Sequence, residues 1–459
     1  MFAFLDKDFI RKFSAIAIPV ALMGLINFGV KSVDTLMLGL VGEIQLAGAA
    51  IANHLSFVFF VVGGAGIGNG CSVLIAQYWG AGDKARVRDI FVFMYRIILA
   101  VNIVFAALAF FAPHFVLGII TTDLYIIAEG VIYLRIMSVG YLAWGFTNVS
   151  TAALRSMGVV KVPVIMLVIS LCISASLNWL LIFGNWGFPE MGIAGAAVAT
   201  VIARFVELAI ILVYILKFEK NLGLRVRHLF AKIKGVGTMF RRYSLPVLIN
   251  EILWASSFFA LNVIIGRIGR EFVAANAIAS LMFQFSGIII FGFSAAAAVV
   301  VGNTIGAGRY DRARQIANGI LVLSLIVGLL CFALIQIVRI PFVNFYELTD
   351  VTRIYALQLT NVFSITAVFT SVAIISLMGT LRGGGDSKFV MVADVIFIWL
   401  ISVPLGALAG LVLNWPVWIV AAILRSEDLF KAIVVLLRVP GGKWLKDITT
   451  DSKSAKPGG

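Results

Sequence analysis

Gly80-Ala81-Gly82-Asp83-Lys84-Ala85-Arg86-Val87-Arg88 and Gly306-Ala307-Gly308-Arg309-Tyr310-Asp311-Arg312-Ala313-Arg314 are the same phrase written twice, 226 positions apart. The offset, 226 to 227, holds well beyond this stretch. Pro19 pairs with Pro246 and Gly42 with Gly269; Ala47, Ala50, Ile51 and Ala52 pair with Ala274, Ala277, Ile278 and Ala279. Leu154, Arg155 and Lys161 pair with Leu381, Arg382 and Lys388. Self-similarity that runs almost from end to end means one unit duplicated, so the organisation is settled before any motif is read.

The unit is a set of membrane spans. Hydrophobic residues make up 61% of the 459, charged residues 13%, and mean hydropathy is +1.06. That balance is foreign to a soluble domain. Apolar runs long enough to cross about 30 Å of hydrocarbon recur throughout. They lie near 13–39, 46–79, 89–112, 123–153, 162–184 and 191–216, then 243–266, 272–304, 315–338, 350–380, 389–411 and 415–437. Strands crossing a bilayer would show alternating segments of about ten residues; these runs are long and continuously apolar, hence helical. The expected fold is an all-α polytopic membrane protein of about 12 transmembrane helices in two pseudo-symmetric six-helix lobes. An amino-terminal segment 1–12 is followed by one lobe at 13–216, a basic linker at 217–242, the second lobe at 243–437 and a tail at 438–459. Six spans per lobe bring each repeat back to its starting side, so the repeats run parallel and a central cleft between lobes is the natural substrate site.

The net charge of +14 is a topology signal. Of the 36 Lys and Arg residues, 26 fall in the amino terminus, alternate loops, linker and tail, all on one side. The positive-inside rule then puts both termini in the cytoplasm of a multi-pass inner (cytoplasmic) membrane protein. Nucleic-acid binders gather charge on one solvated surface, which excludes that partner class here. The first apolar run follows Lys7, Arg11 and Lys12 but is too long for a signal peptide and lacks a small-residue cleavage site, so it reads as a retained span. Cys71, Cys172 and Cys331 are scattered among apolar residues and imply neither disulfide nor metal site. The linker carries eight Lys and Arg residues, and its apolar residues, Leu224 to Phe240, suit either an amphipathic helix on anionic lipid or a solvated connection. From Asp447 onward the tail reads as disordered.

A carboxylate near the bilayer centre costs at least about 2.5–3.5 kcal/mol unless paired or wetted, which makes intramembrane acids the first functional candidates. Asp34 in the first span follows Lys31 by three residues; the two either neutralise each other or leave Asp34 to bind a proton or Na⁺ in a hydrated cavity. Ser174 and Asn178 share a face of the fifth span, and with Thr200 on the sixth they offer the oxygen ligands that a hard cation takes. Glu251, Trp254, Gln284 and Asp394 are the candidates in the second half, for substrate or a second cation. Glu251 has no counterpart of Asp34 opposite it, since the offset sends Asp34 to Leu261. Glu129, Glu207 and the group Arg425, Glu427, Asp428 and Lys431 read as structural pairs. The glycines at 63, 64, 66, 68 and 70 match no phosphate-binding loop and suit close helix packing. His54, His114 and His228 have no partner at catalytic or ligand spacing, so neither an enzyme nor a cofactor is expected. Directed transport without a nucleotide site draws on an ion gradient.

Three stretches carry a family resemblance: Val33-Asp34-Thr35-Leu36-Met37-Leu38-Gly39, Ala76-Gln77-Tyr78-Trp79-Gly80-Ala81-Gly82-Asp83 and Leu381-Arg382-Gly383-Gly384-Gly385-Asp386. With the six-plus-six repeat, the chain resembles the multidrug and toxic compound extrusion (MATE) transporters from about Phe13 to Lys446. The resemblance implies a monomeric antiporter exporting cationic or amphipathic small molecules in exchange for Na⁺ or H⁺, with membrane lipids around it. The family's main coupling carboxylate falls on Asp34, its fifth-span partners on Ser174 and Asn178, and the seventh-span acid of the sodium-coupled branch on Glu251. That branch also uses an acid in the tenth span, where Asn361 to Thr380 has none. The alternative is a lipid-linked oligosaccharide flippase of the same two-lobed plan, which needs a cleft rich in Arg for pyrophosphate; Arg96, Arg135 and Arg204 are its candidates.

Overall fold

The structure is a computed structural model that describes residues 7–219, 222–233 and 235–450. Among the described residues there is no strand, and eleven helices are long and apolar enough to cross a membrane. They are α1 (Lys7–Val41), α2 (Glu43–Gly80), α3 (Lys84–Phe111), α4 (Leu124–Ser156), α5 (Lys161–Phe183), α6 (Gly192–Phe218), α7 (Val236–Ile268), α8 (Arg270–Gly306), α9 (Tyr310–Asn344), α10 (Asp350–Leu381) and α11 (Ser387–Val412). The expected twelfth span is broken into α12 (Val417–Leu424) and α13 (Ser426–Arg438).

The break has a visible cause. Arg425 leaves helical geometry at φ −110, ψ 6, and its guanidinium lies over the rings of Phe283 and Phe363, 4.1 and 4.0 Å from their centres. The aromatic faces take a cation that lipid would not. Ser402 Oγ accepts from the Glu427 amide at 3.0 Å, while Glu427 and Asp428 sit in the first turn of α13, where the helix end favours negative charge.

Repeated sequence becomes repeated geometry. Gly82 and Gly308 both take left-handed φ, 76 and 72, just past the ends of α2 and α8, where a side chain would be strained. The Leu154-Arg155 and Leu381-Arg382 turns are matched bond for bond. Val159 N donates to Leu154 O at 2.9 Å and Asp386 N to Leu381 O at 3.0 Å; Gly158 and Gly385, φ 82 and 87, donate to Arg155 O and Arg382 O at 2.9 Å.

The chain forms two compact units, one of 22–75 and 83–245, the other of 1–21, 76–82 and 246–459. The first is built on Leu38, Ala52, Phe59, Tyr141, Ile182 and Ala197. The second has one core that takes in Phe9, Phe13 and Ala17 from α1 beside Ile290, Ala296 and Ile320, and another around Phe272, Leu359, Phe363 and Leu424. The second unit thus owns the start of α1 and the end of α2. There Gly80 is pressed against the backbone of Asn303 and Gly306 against that of Gln77, so tightly that a Cβ at either glycine would collide. Since 77 and 80 map to 303 and 306 under the offset, this is a pseudo-twofold contact between the repeats.

The tail departs from its sequence expectation, and the two linker readings are narrowed. Among the described residues between α6 and α7 only a turn at Val226–Phe230 is helical, which favours the solvated connection over the amphipathic helix, and α7 begins at Val236. Arg96 of α3 holds the linker by donating to Leu229 O at 2.9 and 2.7 Å and to Ala231 O at 2.5 Å. Those carbonyls need no helix once a guanidinium satisfies them. The tail, expected to be disordered from Asp447, is packed as far as 450, and its last nine residues lie outside the described part. Trp444 and Ile448 are wholly buried. Gln77, also buried, donates to Gly383 O and Lys446 O at 3.2 Å each and accepts from Ile448 N at 2.9 Å. Lys446 N donates to Gly384 O at 2.9 Å, and Tyr310 Oη to Asp447 at 2.6 Å.

Candidate functional site

In the first unit α1, α4, α5 and α6 bring polar groups together. Asp34 is half-buried, and its Oδ1 accepts from Asn178 Nδ2 at 2.5 Å, a contact between residues 144 apart in the chain. One turn before Asn178 on α5, Ser174 lies close to the same carboxylate. Ser174 Oγ and Asn178 Oδ1 are both buried and accept no hydrogen bond among the described residues. Oxygens held out of water without a donor are costly, at about 1–3 kcal/mol each, and they mark a place that favours a cation or a donor from outside the chain. With the Asp34 carboxylate they make an all-oxygen set.

The surrounding charges are positive. No ion pair joins Lys31 to Asp34 among the described residues, and Lys31 is exposed, so the mutual neutralisation weighed from the sequence is not the arrangement. Arg204 on α6 is near enough to act on the charge of Asp34 but is otherwise engaged. Its Nη1 is 3.0 Å from both Glu207 oxygens, its guanidinium lies 4.7 Å from the Trp144 ring centre, and Glu207 also accepts from Ser170 at 2.5 Å. Glu207 is therefore a structural partner, as expected from its sequence setting; Gln45 donates to Glu129 at 3.0 Å in the same manner. Thr200 does not join the site, because its hydroxyl bonds back to Ala196 O at 3.0 Å. A hydroxyl on a membrane helix satisfies itself this way wherever nothing better is in reach.

In the second unit the candidate acids are already partnered. Arg382 Nη1 meets Glu251 Oε1 at 2.7 Å, both side chains being buried. Asp394, 2% exposed, accepts from Asn250 Nδ2 at 2.8 Å and pairs with Lys431 Nζ at 2.8 Å. Lys431 also reaches Glu427 at 3.9 Å, and Asp428 accepts from Thr370 Oγ1 at 2.5 Å. The structure joins neither Gln284 nor Trp254 to Glu251 by a hydrogen bond among the described residues. Gln284 is exposed on α8, and the half-buried Trp254 ring packs on Phe258 and Phe291, with centres 4.7 and 6.4 Å away.

Sequence reasoning noticed Arg382 only as part of a glycine-rich stretch and missed it as the partner of Glu251. A buried acid must find a cation, and Arg382 stands between a run of apolar residues and three glycines, but nothing local says which acid it meets. The pairing of Asp394 with Lys431 is hidden for the same reason. Among the described residues no group of three or more His, Cys, Asp or Glu could hold a metal ion.

Comparison with known proteins bears on the repeat and the fold. The MatE family model matches residues 19–180 and again 246–408, two copies displaced by the 227-residue offset of the repeat. A probable multidrug resistance protein NorM of Streptococcus pneumoniae is 27% identical over 410 residues, covering 86% of this chain and 87% of its own. A protein of the same description from Thermotoga maritima is 26% identical, covering 90% and 88%. The probable multidrug resistance protein YoeA of Bacillus subtilis is 25% identical, with 78% of each chain covered. Among solved structures, MATE in the straight conformation superposes with a TM-score of 0.84 at 17% identity over 94% of this chain and 96% of that one. A MOP superfamily transporter from Pyrococcus furiosus gives the same values. The fold is that of the MATE transporters.

Proposed function

We propose, for a chain that belongs to the MatE family, that it is a secondary active antiporter that exports cationic or amphipathic compounds in exchange for Na⁺ or H⁺. The observation that carries the proposal is the pair of buried oxygens beside Asp34 that accept no hydrogen bond among the described residues. The curated relatives are described as probable multidrug resistance proteins, which supports the substrate class.

The chemistry follows from one carboxylate serving two cations. While ionised, Asp34 is held by the Asn178 amide and attracts a cationic substrate. A Na⁺ ion at Asp34 takes oxygen ligands from Ser174 and Asn178; a proton cancels the charge outright. Either removes the attraction for the substrate, so inward ion binding and outward substrate release compete at one group. Arg204 and Lys31 supply a positive background that keeps the affinity modest, which an exporter needs in order to let its ion go. Glu251, neutralised by Arg382, takes no direct part. The flippase alternative requires several guanidinium groups free for pyrophosphate, yet of its three candidates Arg96 is committed to the linker carbonyls and Arg204 to Glu207, which leaves Arg135 alone.

Asp34→Asn should abolish efflux of ethidium-like cations from a host lacking its own pumps, with membrane expression unchanged. Unaltered efflux by that variant would overturn the assignment. Substrate-dependent proton or Na⁺ flux in proteoliposomes identifies the ion.

A further inference from the structure

α13 ends at Arg438, and the chain turns through Val439, Pro440, Gly441 and Gly442 to Lys443. Val434, Leu437, Arg438, Gly441 and Lys443 line an open groove of ≈ 410 Å³ at this turn. One wall is apolar, with Leu437 75% exposed beside Val434 on a helix whose outward face also carries exposed Ile433 and Leu436. The rim is cationic. Lys443 is exposed and makes no hydrogen bond or ion pair among the described residues. Arg314, at the start of α9, is likewise exposed and unpaired among them, and its guanidinium lies so close over Gly442 that a Cβ there would strike it. Arg438 gives Nη2 to Asp386 at 2.7 Å and lies 4.1 Å from the Phe389 ring centre, but its Nε is buried with no partner among the described residues.

The acids in the neighbourhood are already used. Asp386 is shared by Arg438 and by Lys446, at 2.5 Å; Asp447 accepts from Tyr310 Oη and Thr449. The rim therefore keeps an excess of positive charge and unfilled donors beside the exposed apolar side chains of α13. A phosphate with an acyl chain attached satisfies both halves, whereas a free anion leaves the wall bare. The tail also lies on the side where the basic loops gather, the side of the anionic leaflet by the positive-inside rule.

We propose that this groove is a binding site for an anionic glycerophospholipid, the phosphate taken by Lys443, Arg314 and Arg438 Nε and the acyl chain laid along Leu437 and Val434. Two cations at a charged membrane surface correspond to roughly a 30-fold effect on binding. The test is native mass spectrometry of the full chain in detergent, titrated with phosphatidylglycerol and with phosphatidylcholine of the same acyl chains. Phosphatidylglycerol should bind at least about tenfold more tightly. The Arg314→Ala/Lys443→Ala double variant should lose roughly 30-fold of that affinity while phosphatidylcholine adducts stay unchanged. If the double variant fails to fold, Lys443→Ala alone, at an exposed residue, should lose roughly fivefold. Equal binding of the two lipids, or full phosphatidylglycerol affinity in the charge variants, overturns the proposal. Displacement of the lipid by millimolar inorganic phosphate, with no dependence on acyl-chain length, also overturns it and assigns the site to a free anion.

Discussion

Gln77→Leu should release the carboxyl-terminal strap. Gln77 is wholly buried and spans three segments, donating to Gly383 O and Lys446 O and accepting from Ile448 N. Two of those bonds, to Lys446 and Ile448, hold residues 446–448 directly. At about 1 kcal/mol net each their loss removes about 2 kcal/mol from strap docking, and an Ile448 N–H left buried without an acceptor raises this toward about 3 kcal/mol. At 1.4 kcal/mol per factor of ten, the undocked population rises roughly 30- to 150-fold. Lys443 and Lys446 are trypsin sites that require local opening, so cleavage of the full chain in detergent should accelerate by that factor when opening is fast relative to cleavage. Leucine fits the volume, so packing of Tyr78 and Trp444 is kept and the change isolates the hydrogen bonds. Gln77→Glu should release the strap as well, because a carboxylate accepts from Ile448 but repels the two carbonyls. A cleavage rate within about threefold of the unsubstituted chain would refute the view that Gln77 docks the tail.

Two further outcomes follow from buried and solvated charge. Arg382→Gln leaves Glu251 ionised and alone inside the protein and should destabilise the chain by about 3–5 kcal/mol in thermal or denaturant unfolding, whereas the Glu251→Gln/Arg382→Gln double variant should lose less than either single change. If the double loses the sum of the two, the pair is not coupled. In the linker, partial burial and then the positive charges of Arg88, Arg227 and Arg225 hold His228 below its usual value of 6.5, with Asp89 opposing them. The folded linker thus binds fewer protons than the unfolded one. Its contribution is present above pH 6.5 and fades as pH falls through the lower folded value. Neutral His228 Nδ1 accepts from the Arg225 amide at 3.1 Å, so the exchange protection factor of that amide should drop as pH falls below the usual histidine value and become pH-independent in His228→Ala.

The duplicated phrases fixed more than span number. Gly82 and Gly308 were legible as matching turns because left-handed geometry demands glycine at a definite place after a helix, a constraint local to a few residues; the match of Gly158 with Gly385 came from the structure. The break at Arg425 was not legible, since a charged group of Arg425, Glu427, Asp428 and Lys431 reads as mutual pairing, and nothing local says that the guanidinium lies instead between two rings supplied by α8 and α10. The tail misled for a related reason: Lys, Asp, Thr and Gly suggest disorder, and it is the Gln77 side-chain amide and the Gly384 carbonyl that give those residues a place to dock. Asp34, Ser174 and Asn178 were picked out from the cost of burying polar groups, and the fold brings them together; Thr200 was picked on the same ground and bonds to its own helix instead.

By itself, then, the sequence determined a helical membrane protein of two repeats, the side on which its basic loops gather, and the residues too polar to be idle in hydrocarbon. These follow from composition, period and offset, which are properties of the chain read in order. Tertiary structure alone decided which acid meets a cation and which meets an amide. Glu251 meets a cation 131 residues away and is quenched; Asp34 meets an amide 144 residues away, with two unfilled oxygens beside it. Electrostatic energy depends on separations of a few ångströms in a low dielectric, and sequence distance carries no information about those.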